Sequence, residues 1–241
     1  MKNELKWEPT KFVFNNDGRI VANTEYASET SVLAINKAGV LYQNYLNKYA
    51  NGKLLDLGCG TVPLYKVYQD KVDQIVCIDW ENSFHENIHL DYTADLNDEI
   101  PLEMNSMETV LLSDVLEHIA NFNNLMSEIS RVLKSGGYLI LGIPFLYRLH
   151  EEPFDFNRFT KYQLKKICED NGLNVIKIEE WGGPLSVILD IIGKNLPDEF
   201  FPKTFQKAAV WLINTKIGKK IDNRSKEKFP LGYCLVAKKE E

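Results

Sequence analysis

The sequence is poor in cysteine and histidine, and it has no long apolar run. Its four cysteines, Cys59, Cys77, Cys168 and Cys234, form no C-x-x-C pair and have no histidine partners near them. Neither a disulfide framework nor a zinc site is expected, and no metal is called for. The N-terminal MKNELKWEPTKF carries charges where a secretory signal needs an apolar core. The longest uncharged stretch near the middle, Ser135 to Tyr147, is too short to span a bilayer, so a cytoplasmic protein is expected. A broad basic face is also missing: the formal net charge is −6, which argues against a nucleic-acid partner. No repeat or low-complexity tract is present.

What is present is ordinary for a globular chain: 44% apolar and 26% charged residues over 241 positions, enough for one sizeable α/β domain spanning residues 1–241. Charge is unevenly spread. Lys203 to Lys228 holds eight basic residues against Asp222 and Glu227, a local +6 that leaves −12 elsewhere.

Periodicity and punctuation give an alternating order of elements. Residues 28 to 49 read as a helix, with Asn51-Gly52 as its stop, and Lys53 to Leu57 as a buried strand. A short helix over Pro63 to Tyr68, a strand over Gln74 to Ile78 and a minor strand within 88–92 follow. Thr109 to Leu112 and Tyr138 to Ile143 read as strands around a helix from Phe122 to Leu133. Thr160, a candidate N-cap, opens a helix to Asn171, and Asn174 to Glu179 and Gly232 to Ala237 are the last strands. The expected fold is α/β: a doubly wound, Rossmann-like, seven-stranded and mostly parallel sheet. Residues 1–50 make a helical cap, 51–181 plus 229–241 the core, and 182–228 a helical insertion or lid.

The central motif is Leu54-Leu55-Asp56-Leu57-Gly58-Cys59-Gly60-Thr61-Val62-Pro63, a strand running through Gly-x-Gly into a helix start. Asp79 ends the next strand nineteen residues after Gly60, where a carboxylate can accept both ribose hydroxyls of an adenosine. A dinucleotide fingerprint needs G-x-G-x-x-G to close on a pyrophosphate, but its third glycine position is Pro63, which adds bulk and removes an N–H. A nicotinamide cofactor is therefore disfavoured. S-adenosylmethionine (SAM) has no phosphate, and Asp56 can offer an acceptor near its ammonium.

LLDLGCGTVP resembles motif I of the class I SAM-dependent methyltransferases, and IVCIDW, DYTADL, VLLSDVLEHI and EISRVLKSGGYLILGIP continue the resemblance in order from Lys53 to Pro144. It implies SAM as cofactor, with Asp56, Gly58, Cys59 and Gly60 in the methionine-side loop and Asp79 holding the ribose. It also implies Trp80 against adenine, Asp95 at the adenine amino group with Leu96 beside it, and Ser113 and Asp114 continuing the pocket. Val62 departs from the family's third glycine.

Displacement at a sulfonium methyl needs an aligned acceptor and excluded water, and a hydroxyl acceptor needs a base. Glu117 and His118 in VLEHI, and His150 and Asp155 in the aromatic-rich stretch from Pro144 to Phe159, are the candidates. That stretch resembles a loop in bacterial methyltransferases of surface-polysaccharide and other glycan pathways, implying that His150, Asp155 and Arg158, with Tyr147, shape the site for a small-molecule or glycan acceptor. Alternatively it is a structural loop in which Arg158 pairs with Asp155. The acceptor atom, more readily oxygen or nitrogen, stays open, as does a catalytically silent SAM-binding scaffold. Residues 201–228 suit either a lid with solvated lysines or peripheral contact with an anionic membrane. The N-terminal residues, with Tyr26, are expected to form another part of the lid.

Overall fold

The computed structural model describes residues 1–82, 88–195 and 202–240. Two short strands, β1 (Phe12–Phe14) and β2 (Ile20–Ala22), form an antiparallel hairpin ahead of α1 (Val32–Tyr49). The cap is thus not wholly helical. Asn15 Oδ1 accepts from the amides of Asp17 and Arg19 at 3.0 Å each, and Gly18 takes a positive φ of 71°, so Asn-Asn-Asp-Gly closes a turn between two β-rich triplets. A single 3-10 turn, Glu29–Ser31, replaces the expected start of the helix.

The core alternates as expected: β3 (Lys53–Leu57), α2 (Tyr65–Tyr68), β4 (Gln74–Asp79), β5 (Tyr92–Thr93), β6 (Met107–Ser113), α3 (Phe122–Val132) and β7 (Leu133–Pro144). Then come α4 (Lys161–Asp170), β8 (Leu173–Trp181), the insertion helices α5 (Pro184–Asn195), α6 (Pro202–Asn214) and α7 (Lys216–Arg224), and β9 (Gly232–Lys239). Thr160 caps α4, its hydroxyl accepting from Gln163 N at 3.3 Å.

The seven strands lie in the order β5-β4-β3-β6-β7-β9-β8. Neighbours from β5 to β7 are parallel, and β9 runs antiparallel between β7 and β8. The sheet separates two apolar layers. Leu55, Leu57, Val110, Leu112 and Leu139 face α3 and α4, while Leu54, Cys77, Leu111, Ile140 and Val236 face α1 and α2. Because both faces are covered, central strands carry unbroken apolar runs. With the layers filled, the larger ligand space among the described residues opens beyond the carboxyl ends of β3, β4, β6 and β7, where the order reverses between β3 and β6.

The insertion is tied to the core by one buried carboxylate. Asp222 of α7, 3% exposed, accepts from Gly183 N (3.1 Å) and Ser186 N (2.8 Å) at the start of α5, from the Ser186 hydroxyl (2.8 Å), and from Lys37 Nζ of α1 (3.0 Å). Ala209 and Ile213 of α6 are buried as well.

Candidate active site

A cavity of about 700 Å3 opens at these strand ends, within the usual size for a small-molecule site. Its lining includes Gly58, Cys59 and Gly60 after β3, Asp79 and Trp80 after β4, Asp95 and Leu96, and Ser113 and Asp114 after β6. Of the cofactor candidates named above, Asp56 alone is set behind that lining.

The glycine loop turns because its residues accept left-handed backbone. Gly58 has φ 62°, and a Cβ there would meet Val115 Cγ2 at 2.5 Å. Val62 takes φ 54°, so the loop keeps its shape although valine stands where the family pattern has glycine. This costs on the order of 1–3 kcal/mol for a β-branched residue. It is held in place by full burial and by Trp7 Nε1, which donates to Val62 O at 3.0 Å. Asp79 braces the same loop from β4: its Oδ2 accepts from Gly60 N at 2.9 Å and its Oδ1 from Trp80 N at 2.8 Å.

Asp56 is 1% exposed, and burial, opposed by a 2.9 Å hydrogen bond from the Tyr68 hydroxyl to Oδ2 and assisted by the charge of Asp79, pushes its pKa up to about 7. Its Oδ1 is buried without a hydrogen-bond partner. An orphaned carboxylate oxygen beneath the glycine loop fits a ligand that brings an ammonium group, as the methionine end of SAM does.

Asp114 also has positive φ, 55°. Lys11 Nζ lies 2.7 Å from its Oδ2 and the Tyr42 hydroxyl donates to Oδ1 at 3.0 Å. Burial alone would raise the Asp114 pKa, but Lys11 and Tyr42 outweigh it and hold the carboxyl below its ordinary value. Gly142 of β7 makes room for this contact, since a Cβ there would sit 1.9 Å from the Tyr42 hydroxyl. Lys11 and Tyr42 carried no local signal: they lie 103 and 72 residues from Asp114 in sequence.

Glu117, His118, Tyr147, His150 and Phe154 also line the cavity, with the Phe154 ring edge to face with Trp80 at 5.1 Å. Glu117 is fully buried and neither carboxylate oxygen has a hydrogen-bond partner. Nε2 of His118 and Nε2 of His150 each lie 3.7 Å from Glu117 Oε1, beyond hydrogen-bond length, and the two rings meet edge to face at 4.7 Å. Burial pushes the Glu117 pKa up. For His150 burial acts downward, but Glu117, Asp155 and Glu151 outweigh it and raise its pKa.

Asp155 and Arg158 are not in the cavity wall. Arg158 donates to both Asp155 oxygens at 2.5 and 2.7 Å and to Arg148 O at 3.1 Å, while Asp155 Oδ2 accepts from His150 N at 3.0 Å. Their pairing shapes the loop from behind. Lys11, Phe12, Tyr26, Ala27, Ser28 and Ser31 of the N-terminal segment line the cavity, whereas no described residue of 182–228 does. The insertion reaches it indirectly, through Lys194 Nζ stacked 3.3 Å from the Tyr147 ring centroid.

Residues 55–141 match the family model of a methyltransferase domain, the segment that builds β3 through β7. No curated protein matches the chain. Among solved structures, a SAM-dependent methyltransferase from Archaeoglobus fulgidus superposes with a TM-score of 0.55 at 19% identity, covering 88% of this chain and 95% of that one. One from Mesorhizobium loti gives 0.55 at 12% identity, with 84% and 98% covered. Haemonchus contortus phosphoethanolamine N-methyltransferase 2, in complex with phosphomonomethylethanolamine and S-adenosylhomocysteine, gives 0.50 at 18% identity, with 83% and 52% covered. These likenesses establish the shared fold. The domain match lies over the strands that carry the glycine loop, Asp79 and Asp114, so this segment of the chain is similar to a methyltransferase domain.

Proposed function

We propose that the protein moves the SAM methyl group to an oxygen or nitrogen atom of a small-molecule or glycan acceptor that enters beside His118, Tyr147 and His150. The observation that carries this is the polar cluster of Glu117, His118 and His150 lining the same cavity as the glycine loop and Asp79. SAM supplies an electrophilic methyl on a sulfonium, whose bonding electron pair returns to sulfur as the acceptor's lone pair bonds carbon. The glycine loop and Asp79 hold the cofactor's ends, with Asp56 Oδ1 beneath the methionine side. The acceptor's proton leaves toward His150 or Glu117, and Phe154 and Tyr147 exclude water.

Calorimetric titration with S-adenosylhomocysteine, with NADH as control, followed by a screen of sugars, lipid-linked glycans and small amines, tests the reading. Binding of the former alone is expected, and no binding in a folded sample overturns it. His150→Ala should lower turnover on the acceptor found by about 10²–10⁴-fold while changing cofactor affinity little. Equal turnover removes His150 from the chemistry.

A second feature bears on where the enzyme works. Trp211, Ile217 and Ile221 are exposed beside exposed Lys216, Lys219 and Lys220, a combination that suits an anionic membrane surface and a lipid-linked acceptor. No helix among the described residues is long and apolar enough to cross a membrane.

A further inference from the structure

Within the acceptor end of the cavity, the three polar side chains are built as ligands rather than as hydrogen-bonding partners of one another. Among the described residues, Glu117, His118 and His150 each present one donor atom within 4.8 Å of the others. The 3.7 Å separations from Glu117 Oε1 to the two imidazole Nε2 atoms are too long for hydrogen bonds. They are near the spacing of about 3.4 Å that two bonds of about 2.1 Å make at a tetrahedral angle.

The far side of each ring is also provided for. His118 Nδ1 lies 3.0 Å from Phe154 O, which can only accept, so Nδ1 carries a proton and Nε2 is the ring atom turned toward Glu117. His150 Nδ1 lies 3.2 Å from Asp155 Oδ2, and Asp155 is fixed in turn by the Arg158 fork. A carbonyl hydrogen-bonded behind one histidine, and a carboxylate within 3.2 Å of the other though not aligned as a hydrogen bond, are groups of the kind that support metal-bound imidazoles. Meanwhile Glu117 Oε1 and Oε2, His118 Nε2 and His150 Nδ1 are buried without a hydrogen-bond partner. In a site with no role for a ligand, these atoms would be a standing cost.

We propose that Glu117, His118 and His150 bind one divalent transition-metal ion, with open positions facing the cavity that take the acceptor's hydroxyl oxygen. Two imidazoles and one carboxylate favour ions such as zinc, manganese or iron(II) over magnesium or calcium. The inference rests on this end of the cavity being the acceptor side, and it narrows the acceptor to a hydroxyl. The ion takes over the task assigned above to an imidazole base: it lowers the hydroxyl's pKa, the proton passes to a hydroxide held at another open position of the ion, and the oxygen forms the new bond to the methyl carbon as the carbon–sulfur bond breaks. The sequence alone calls for no metal, since its cysteines have no C-x-x-C pair and no histidines near them, and these three ligands come from two segments more than thirty positions apart.

The test uses the full chain dialysed against chelator and titrated separately with Zn2+, Mn2+, Co2+ and Mg2+, with no acceptor present. One Zn2+ or Co2+ per chain is expected, Mg2+ binding more weakly, and bound Co2+ should give the intense visible bands of a four- or five-coordinate nitrogen–oxygen site. Asp155→Asn should weaken binding by about 10–100-fold, and Glu117→Gln and His150→Gln by more. S-adenosylhomocysteine affinity measured on the same samples should persist, which reports that each variant is folded and the cofactor end intact. No binding by the unmodified chain, or binding that these substitutions leave unchanged, overturns the proposal. Loss of metal binding with retained cofactor binding would leave the methyltransferase assignment standing, so the two fail separately. If Glu117→Gln does not fold, the Co2+ spectrum of the unmodified chain together with His150→Gln decides the matter.

Discussion

Asp56 is under two opposed demands if, as proposed, its Oδ1 accepts from the cofactor's ammonium: that role needs a carboxylate, yet burial pushes its pKa up to about 7. Below that value, binding an ammonium-bearing ligand must expel the proton, so S-adenosylhomocysteine affinity should rise with pH by up to about tenfold per unit and level off above neutrality. Calorimetry in buffers of different ionisation heat should register proton release, and Asp56→Asn should flatten the profile. A flat profile in the unmodified chain would separate Asp56 from the cofactor. The same residue has a signed effect on the empty fold. The unfolded carboxyl titrates near 3.8 and the folded one near 7, so between these values the folded state holds the extra proton and its stability falls as pH rises through the window. Asp79 has a different task, since its oxygens already brace Gly60 and Trp80. Asp79→Ala should weaken S-adenosylhomocysteine by at least about tenfold, both through lost ribose contacts and through a looser glycine loop.

At the scale of elements, the insertion shows how a basic, amphipathic segment is kept on an acidic domain. Its anchor is Asp222, which serves α7, the N-terminal amides of α5 and Lys37 of α1 together. Asp222→Ala leaves Lys37 and the α5 amides without their acceptor and should cost about 3–5 kcal/mol of stability. Limited proteolysis should then cut first within 182–228 while S-adenosylhomocysteine still binds, because no described residue of that segment lines the cavity. Cofactor binding lost in step with cleavage would show that the insertion supports the cavity more directly than its contacts indicate. Most of these elements were legible in the sequence because strands with both faces covered must be apolar throughout. The β1/β2 hairpin was passed over although Asn-Asn-Asp-Gly between Phe-Val-Phe and Ile-Val-Ala carried its signal. Strands of three residues give too few alternations to outweigh the long helical pattern that follows.

At the scale of the whole molecule, charge is segregated: a +6 stretch from Lys203 to Lys228 on a chain of net −6. If the exposed lysines and Trp211 meet a membrane, the chain should co-sediment with vesicles containing anionic lipid and not with neutral ones, and the binding should fade as salt rises. Trp211→Ala should weaken it. Equal recovery with both vesicle types, or none, would assign those lysines to solvated surface alone.

The sequence by itself determined the sheet, the glycine turn and the acid after β4, because each rests on local chemistry: covered strands need continuous apolar runs, a tight turn needs left-handed backbone, and a strand end places one side chain at the cavity. It also brought out Glu117, His118 and His150 as candidates without any means of relating them. Tertiary structure decided what distance along the chain conceals. Lys11 and Tyr42 reach Asp114 across more than seventy residues, Arg158 turns back to brace Asp155, and two histidines from separate loops meet around one buried carboxylate. Such meetings depend on how layers pack and where loops return. No residue's neighbours in sequence record that.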